Sequence, residues 1–435
     1  VVYETDNEVR PLLDTTLANC TSALEAKGHS VRTEVRTVDF VLDVAPALTP
    51  GSLFDAECDD DFDLVIMNPP YLKIGKSSEY AKAMASVVHG QPNLYALFMT
   101  LGAAVLRPGG DFVSITPRSF ANGPYFRSFR RWFLDAAAIR RLHLFESRRH
   151  AFADSGVLQE SIVLHATRGQ SQKDIEVSQD IGAEVASTTK SLRLRSDFVI
   201  DDHRDNRIIR VPVSERDRDA IETVESWPAR FDATGLRVST GPIVMFRAAE
   251  YVRRGHDVNG HIPLLSVQNV RPYSTVWPVE SERKTLSFLA VPGSEKLLIP
   301  ASNYVLIRRF SAKEESRRLT ASAVYVDTFS GPWLALENHL NYVYHADRSL
   351  TREETDGIVA VFNSSLFDRY FRTISGNTQV NAAEIRAMPF PSLRQLELIG
   401  AATTGLDDHE EIEHQVLGVC GVARAAIVSQ CHVEG

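Results

Sequence analysis

Along the first 167 positions, apolar residues fall in short blocks of two alternating kinds. "VVYETD" at 1–6 reads as the end of a strand, and "PLLDTTLANCTSALEAKG" at 11–28 spaces its apolar positions as a helix, opened by Pro11 and stopped by Gly28. "SVRTEVRTVDF" is a strand again, and "DLVIM" at 63–67 is apolar throughout, as expected of a strand covered on both faces. Next come a helix in "NLYALFMTLGAAVL", a break at "RPGG" and a strand in "DFVSITP". A helix in "YFRSFRRWFLDAA" and strands in "IRRLHLF" and "ESIVLHAT" complete the series. Strands alternating with helices in this way predict a doubly wound α/β domain over residues 1–168.

From "RGQSQKD" at 168 the pattern loosens, and a connecting region is expected over 169–234, with a helix in "SERDRDAIETVESWPARF". Many short strand-like runs punctuated by Gly and Pro follow, then a helix in "REETDGIVAVFNSSLFDRYFRT" and a loop in "ISGNTQVN". These predict a mixed α+β domain over 235–395 and a helical tail over 396–435.

The 435 residues allow two or three domains, and no apolar run has membrane-spanning length. Four scattered cysteines without a CxxC pair argue against a disulfide framework and fit a reducing cytoplasm. Cys420 and the Cys431-His432 pair lack metal-ligand spacing, so no metal is expected. The formal charge of −9 argues against a nucleic-acid partner, but its distribution is uneven. Residues 127–150 hold seven arginines, among them Arg148 and Arg149, and 308–319 hold five basic residues against two acidic, opening with Arg308 and Arg309. A solvated face and a phosphate-binding face both fit such clusters.

The strand "DLVIM" runs into Asn68-Pro69-Pro70-Tyr71. In a doubly wound sheet, ligands bind beyond the carboxyl ends of the strands, where these four residues lie. A residue before proline is held extended, so Asn68 and Pro69 present their carbonyl groups in fixed directions. Together those oxygens can accept both hydrogens of one exocyclic amine, with the flat ring of Tyr71 beside it. A rigid turn without chemistry is the plainer alternative.

These residues resemble the NPPY motif of amino-group methyltransferases that use S-adenosylmethionine, and the likeness continues over residues 1–167. "VVYETD" looks like the family's second motif, which implies that Glu4 and Thr5 bind the ribose of the cofactor. "VDF" looks like the third, which places Asp39 on the adenine amine and Phe40 beside its ring; Asn68 also adjoins the cofactor. "AFADSGVLQESIVL" resembles the last catalytic motif, whose Phe152 would face Tyr71 across a flipped base. Taken singly, an acid at a strand end is more often a turn residue or helix cap, and a lone Phe is more often core.

The motif also serves methyltransferases acting on RNA and on protein, which usually end soon after the catalytic domain. Here about 265 residues follow it. Their resemblance to target-recognition regions implies the gamma class of N6-adenine DNA methyltransferases of restriction-modification systems, acting on double-stranded DNA by base flipping beside a separately encoded endonuclease. Lys73, Arg148, Arg149, Arg308, Arg309, Asn377 and Gln379 are the candidate DNA contacts. One departure stands out: with the ribose acid at Glu4, the first strand and glycine-rich turn of a Rossmann-like class I domain should precede Val1. The cofactor site is therefore expected to be incomplete and the chain as written inactive, and a non-catalytic DNA-binding module is the second reading.

Overall fold

The computed structural model describes residues 1–48, 62–87, 93–145, 160–180, 189–202, 206–256, 260–281, 284–311, 315–329 and 331–420. The chain divides into two compact units, Val1–Arg210 and Val211–Gly435. No helix among the described residues is long and apolar enough to cross a membrane.

In the first unit, β1 (Val2–Tyr3) lies parallel to β2 (Val35–Arg36), with α1 (Arg10–Glu25) between them in sequence. Most of the expected strand at 30–40 is thus loop. The chain turns instead into α2 (Phe40–Val44), because Asp39 Oδ1 accepts the Leu42 N–H at 3.0 Å and caps that helix. The main sheet has six strands: β3 (Phe62–Met67), β4 (Leu106–Pro117), β5 (Ala137–Leu144), β6 (Ser161–Arg168), β7 (Ile175–Asp180) and β8 (Thr189–Leu194). Their order is β3-β4-β6-β5-β7-β8. β3 and β4 are parallel, and β6 runs antiparallel between β4 and β5. The sheet continues past residue 168 because β7 pairs in parallel with β5 and β8 returns against β7.

Two departures from the sequence pattern concern the strand that carries the site. β4 takes in the "RPGG" stretch, at the cost of a register shift opposite Phe62 and Leu64, and Gly109 accommodates it with φ +86°. β3, expected to be covered on both faces, is the edge of its sheet: Leu64 is 51% and Ile66 71% exposed. Its other face is covered. α3 (Leu94–Ala104) packs there through Gly102, where an added Cβ would run into Met67, Phe112 and Val65. Among the described residues no strand pairs the outer edge of β3 or that of β1.

The second unit holds two five-stranded sheets. One orders Leu236–Thr240, Leu340–His345, Tyr304–Arg308, Ala321–Val324 and Tyr273–Ser274; the other is built around His261–Leu265 and Leu286–Leu289. The helices Arg352–Asn363 and Leu393–Thr403 cross backbone against backbone, since a Cβ on Gly357 would strike the Leu396 carbonyl and one on Gly400 that of Glu353. The start of the expected tail is therefore part of this core, and His409–Val419 buries Ile412 and Val416 beside it.

Candidate functional site

The site of the first unit assembles at the carboxyl ends of β1, β2 and β3. A cavity of about 650 Å³ there is lined by Glu4, Thr5, Asp39, Phe40, Asn68, Pro69 and Pro70, so every cofactor candidate from the sequence meets the first three residues of the NPPY stretch in one space. Glu4 Oε1 accepts the Asp6 N–H at 2.7 Å, which bends the chain away from β1. Both oxygens of Asp39 have protein partners: Oδ1 caps α2, and Oδ2 accepts the Tyr80 hydroxyl at 2.8 Å. Each retains a second lone pair for a ligand.

Phe40 forms part of an aromatic row, with Tyr3 edge-on at 5.0 Å and Phe98 tilted against it at 5.1 Å. Phe98 also lines the cavity. Sequence reading missed it, although "NLYALF" was quoted; in a helix apolar on all sides, nothing marks the one ring that faces a ligand.

Tyr71 is held at both ends. Its hydroxyl lies 2.8 Å from Asn68 Oδ1 and 3.1 Å from the Ile115 carbonyl of β4, and its ring meets Tyr95 edge-on at 6.2 Å. Burial raises the Tyr71 phenol above its usual range, so it stays a donor. Tyr95 is fully buried, stacks on Phe126 at 5.2 Å and shares a 2.8 Å hydrogen bond with Ser119. The loop beyond Tyr71 is pinned by the Leu94 N–H on the Leu72 carbonyl at 2.8 Å and by a bridge between Lys73 and Asn93. Lys73 is exposed.

Phe152, Arg148 and Arg149 lie outside the described residues. Within the basic run at 127–150, Arg130 is fully buried, donating to the carbonyls of Phe120, Gly123 and Asn206 at 2.9, 2.9 and 2.8 Å. It is an internal brace for the loop that carries Ser119 and Phe126, and is not part of a charged face.

In the second unit the remaining DNA candidates come together, although some 70 residues separate them. The Val380 N–H donates to the Arg309 carbonyl at 2.8 Å, and Gln379 bridges Phe310 through the backbone. Asn377 lies 3.5 Å from Glu384 Oε1. The two arginines are occupied by backbone: Arg308 donates twice to the Val270 carbonyl, at 2.6 and 3.1 Å, and Arg309 once to that of Asn338 at 3.0 Å.

The Eco57I restriction-modification methylase family matches residues 19–152. The chain is 33% identical over 336 residues to the type II methyltransferase M.PstI of Providencia stuartii, covering 77% of this chain and 66% of that protein. It is 32% identical over 391 residues to the type II methyltransferase M.BsuBI of Bacillus subtilis, covering 90% and 76%. The chain thus spans about two thirds of the length of M.PstI and three quarters of that of M.BsuBI. Among solved structures, the type IIL restriction-modification enzyme MmeI in complex with DNA aligns with a TM-score of 0.53 at 11% identity, over 84% of this chain and 56% of that one. With a curated relative at this identity over most of both chains, the protein belongs to the type II methyltransferases of restriction-modification systems.

Proposed function

We propose that the full-length protein transfers a methyl group from S-adenosylmethionine to the N6 amine of an adenine in double-stranded DNA, as the modification component of a restriction-modification system. The observation that carries this reading is the junction of the cavity with Asn68 and Pro69, beside an anchored Tyr71. The residues present suit that cofactor: Glu4 offers a carboxylate to ribose hydroxyls, Asp39 a carboxylate to an adenine amine, and Phe40 with Phe98 a flat apolar wall. When bound, the cofactor supplies an electrophilic methyl group on a sulfonium.

Chemistry at the amine falls to the chain. The N6 lone pair of adenine is delocalised into the ring and is a poor nucleophile. Asn68 Oδ1 and the Pro69 carbonyl accept its two hydrogens, draw the nitrogen toward tetrahedral geometry and stabilise the positive charge that develops on it. Taking the base out of the duplex costs a few kcal/mol, and stacking on Tyr71, with its other face assigned to Phe152 by the family resemblance alone, returns about 1–3 kcal/mol. The second unit supplies DNA recognition, over residues 235–395.

The function is tested by incubating the full-length protein with methyl-labelled cofactor and duplex DNA: label enters the DNA, and Asn68→Ala abolishes its entry. Label in RNA or protein with unlabelled DNA contradicts the reading.

A further inference from the structure

The second unit has a hollow of its own, of about 410 Å³, lined by Val267, Gln268, Arg308, Phe310, Glu315 and His339. Phe310 lines it, 39% exposed, with the Arg309 guanidinium 5.7 Å from its ring centroid and the His339 ring edge-on at 5.1 Å. Four stretches of chain form the walls: the turn Val267–Asn269, the turn at 337–339, the strand end at 308–311 and Glu315.

Two adjacent arginines fix that convergence. Arg308 reaches the carbonyl of Val270, at the foot of the turn that carries Gln268. Arg309 reaches the carbonyl of Asn338, next to His339, and its own N–H donates to the His339 carbonyl at 2.9 Å. On the other flank, the Arg309 carbonyl accepts the Val380 N–H, and the Ser311 N–H donates to the Thr378 carbonyl at 3.0 Å. His339 is oriented in turn, with Nδ1 2.8 Å from Glu337 Oε1 and nearly half of its side chain exposed. The Gln268 amide nitrogen donates to the Lys284 carbonyl and His339 is held by Glu337, so the Gln268 carbonyl oxygen and the His339 ring line the hollow at fixed positions beside the exposed Phe310.

We propose that this hollow reads the edge of a base pair: Gln268 and His339 contact base-edge donors and acceptors, and Phe310 packs on the bases between them. Arg308 and Arg309 are positioning residues for these side chains and not phosphate contacts. The inference rests on duplex DNA as the substrate. Amide and ring groups held at set angles match the donor and acceptor pattern of a groove, and a ring such as Phe310 suits the methyl group of thymine. Both guanidiniums are tied to main-chain carbonyls of the turns that carry Gln268 and His339, which is the arrangement of a brace.

The test is methylation of a random-sequence duplex library by the full-length protein, read by sequencing the methylated sites, together with the salt dependence of binding. Gln268→Ala and His339→Ala each lose preference at one base pair by about ten- to a hundredfold. Phe310→Leu, which keeps the bulk and removes the ring, relaxes the position between them. Arg309→Gln relaxes the same position as His339→Ala, with an unchanged salt slope. Parental site preference in all four variants overturns the proposal. So does an Arg309→Gln protein whose slope falls by about 0.9 with its preference intact, which is the signature of a phosphate contact. A parent protein that methylates no duplex DNA overturns the proposed function and this inference together.

Discussion

The Tyr71 hydroxyl sits 2.8 Å from Asn68 Oδ1, the atom assigned to the target amine, and 3.1 Å from the Ile115 carbonyl. A phenol has one hydrogen to give. On the proposed reading, the hydroxyl keeps the Ile115 carbonyl as its acceptor when the amine takes Asn68 Oδ1, so neither group is left unsatisfied. The ring packs edge-on against Tyr95 at 6.2 Å.

Removing the acceptor should therefore stop the chemistry without disturbing the duplex interface. Asn68→Ala in the full-length protein is expected to lower the methylation rate by at least about a hundredfold, in line with the loss of one preorganised electrostatic partner. DNA affinity should stay within about twofold, because Asn68 follows a strand of the first unit and its side-chain partner Tyr71 keeps the Ile115 carbonyl as a second anchor. Single-turnover kinetics and a binding titration measure the two effects separately.

Retention of the extruded base depends on stacking. Phe152→Ala should reduce the fluorescence gained by a 2-aminopurine placed at the target position, while the acceptors on Asn68 and Pro69 remain. Loss of one stacking face, about 1–3 kcal/mol, corresponds to roughly a tenfold fall in the extruded population. An unaltered fluorescence gain would remove Phe152 from the pocket.

Much of this site is legible in the sequence, for a local reason. Proline fixes the backbone of Asn68 and Pro69 whatever surrounds them, and Glu4 and Asp39 are marked by following apolar strand residues. The caution that a strand-end acid is usually a cap describes Asp39 correctly in part, since it caps α2 and lines the cavity as well. What stayed hidden depends on chain meeting chain. The carbonyl partners of Arg308 and Arg309 lie 38 and 29 residues away in sequence, so the bonds that tie both guanidiniums to the backbone cannot be read from the basic run itself. Gly357 and Gly400 read as ordinary helix glycines until the helices that cross at them are placed together. The strand pattern beyond residue 168 looked loose because β7 mixes polar with apolar positions, being completed by its neighbours β5 and β8.

The double duty of Asp39 separates stability from binding. Asp39→Ala should cost about 0.5–2 kcal/mol of stability through the lost cap, and also weaken cofactor binding by the full-length protein. Tyr80→Phe removes only the 2.8 Å hydroxyl contact on Oδ2 and should leave the cap intact. Thermal unfolding beside calorimetric titration distinguishes them: equal loss of affinity in both variants would show that the Tyr80–Asp39 contact, and not the cap or a direct bond from the carboxylate, matters to the ligand.

Burial raises Glu384 from an ordinary 4.5 to about 6, and its carboxyl caps the helix Ala382–Ala387 and meets Asn377 in the loop beside Arg309. The folded form thus holds this proton more tightly than the unfolded chain. Its contribution to stability is fully present below pH 4.5 and declines as pH rises to about 6, by about 2 kcal/mol in all. Glu384→Gln should remove this slope. Denaturant titrations of both proteins at pH 4, 5, 6 and 7 give the difference directly, and parallel profiles would contradict the assignment.

The account turns on which amine is methylated. Duplex DNA treated with the full-length protein and S-adenosylmethionine, digested to nucleosides and analysed by mass spectrometry, should contain N6-methyldeoxyadenosine and no other new methylated nucleoside, with none after treatment by Asn68→Ala. N4-methylcytosine in its place, or unmodified DNA beside methylated RNA or protein, would contradict it.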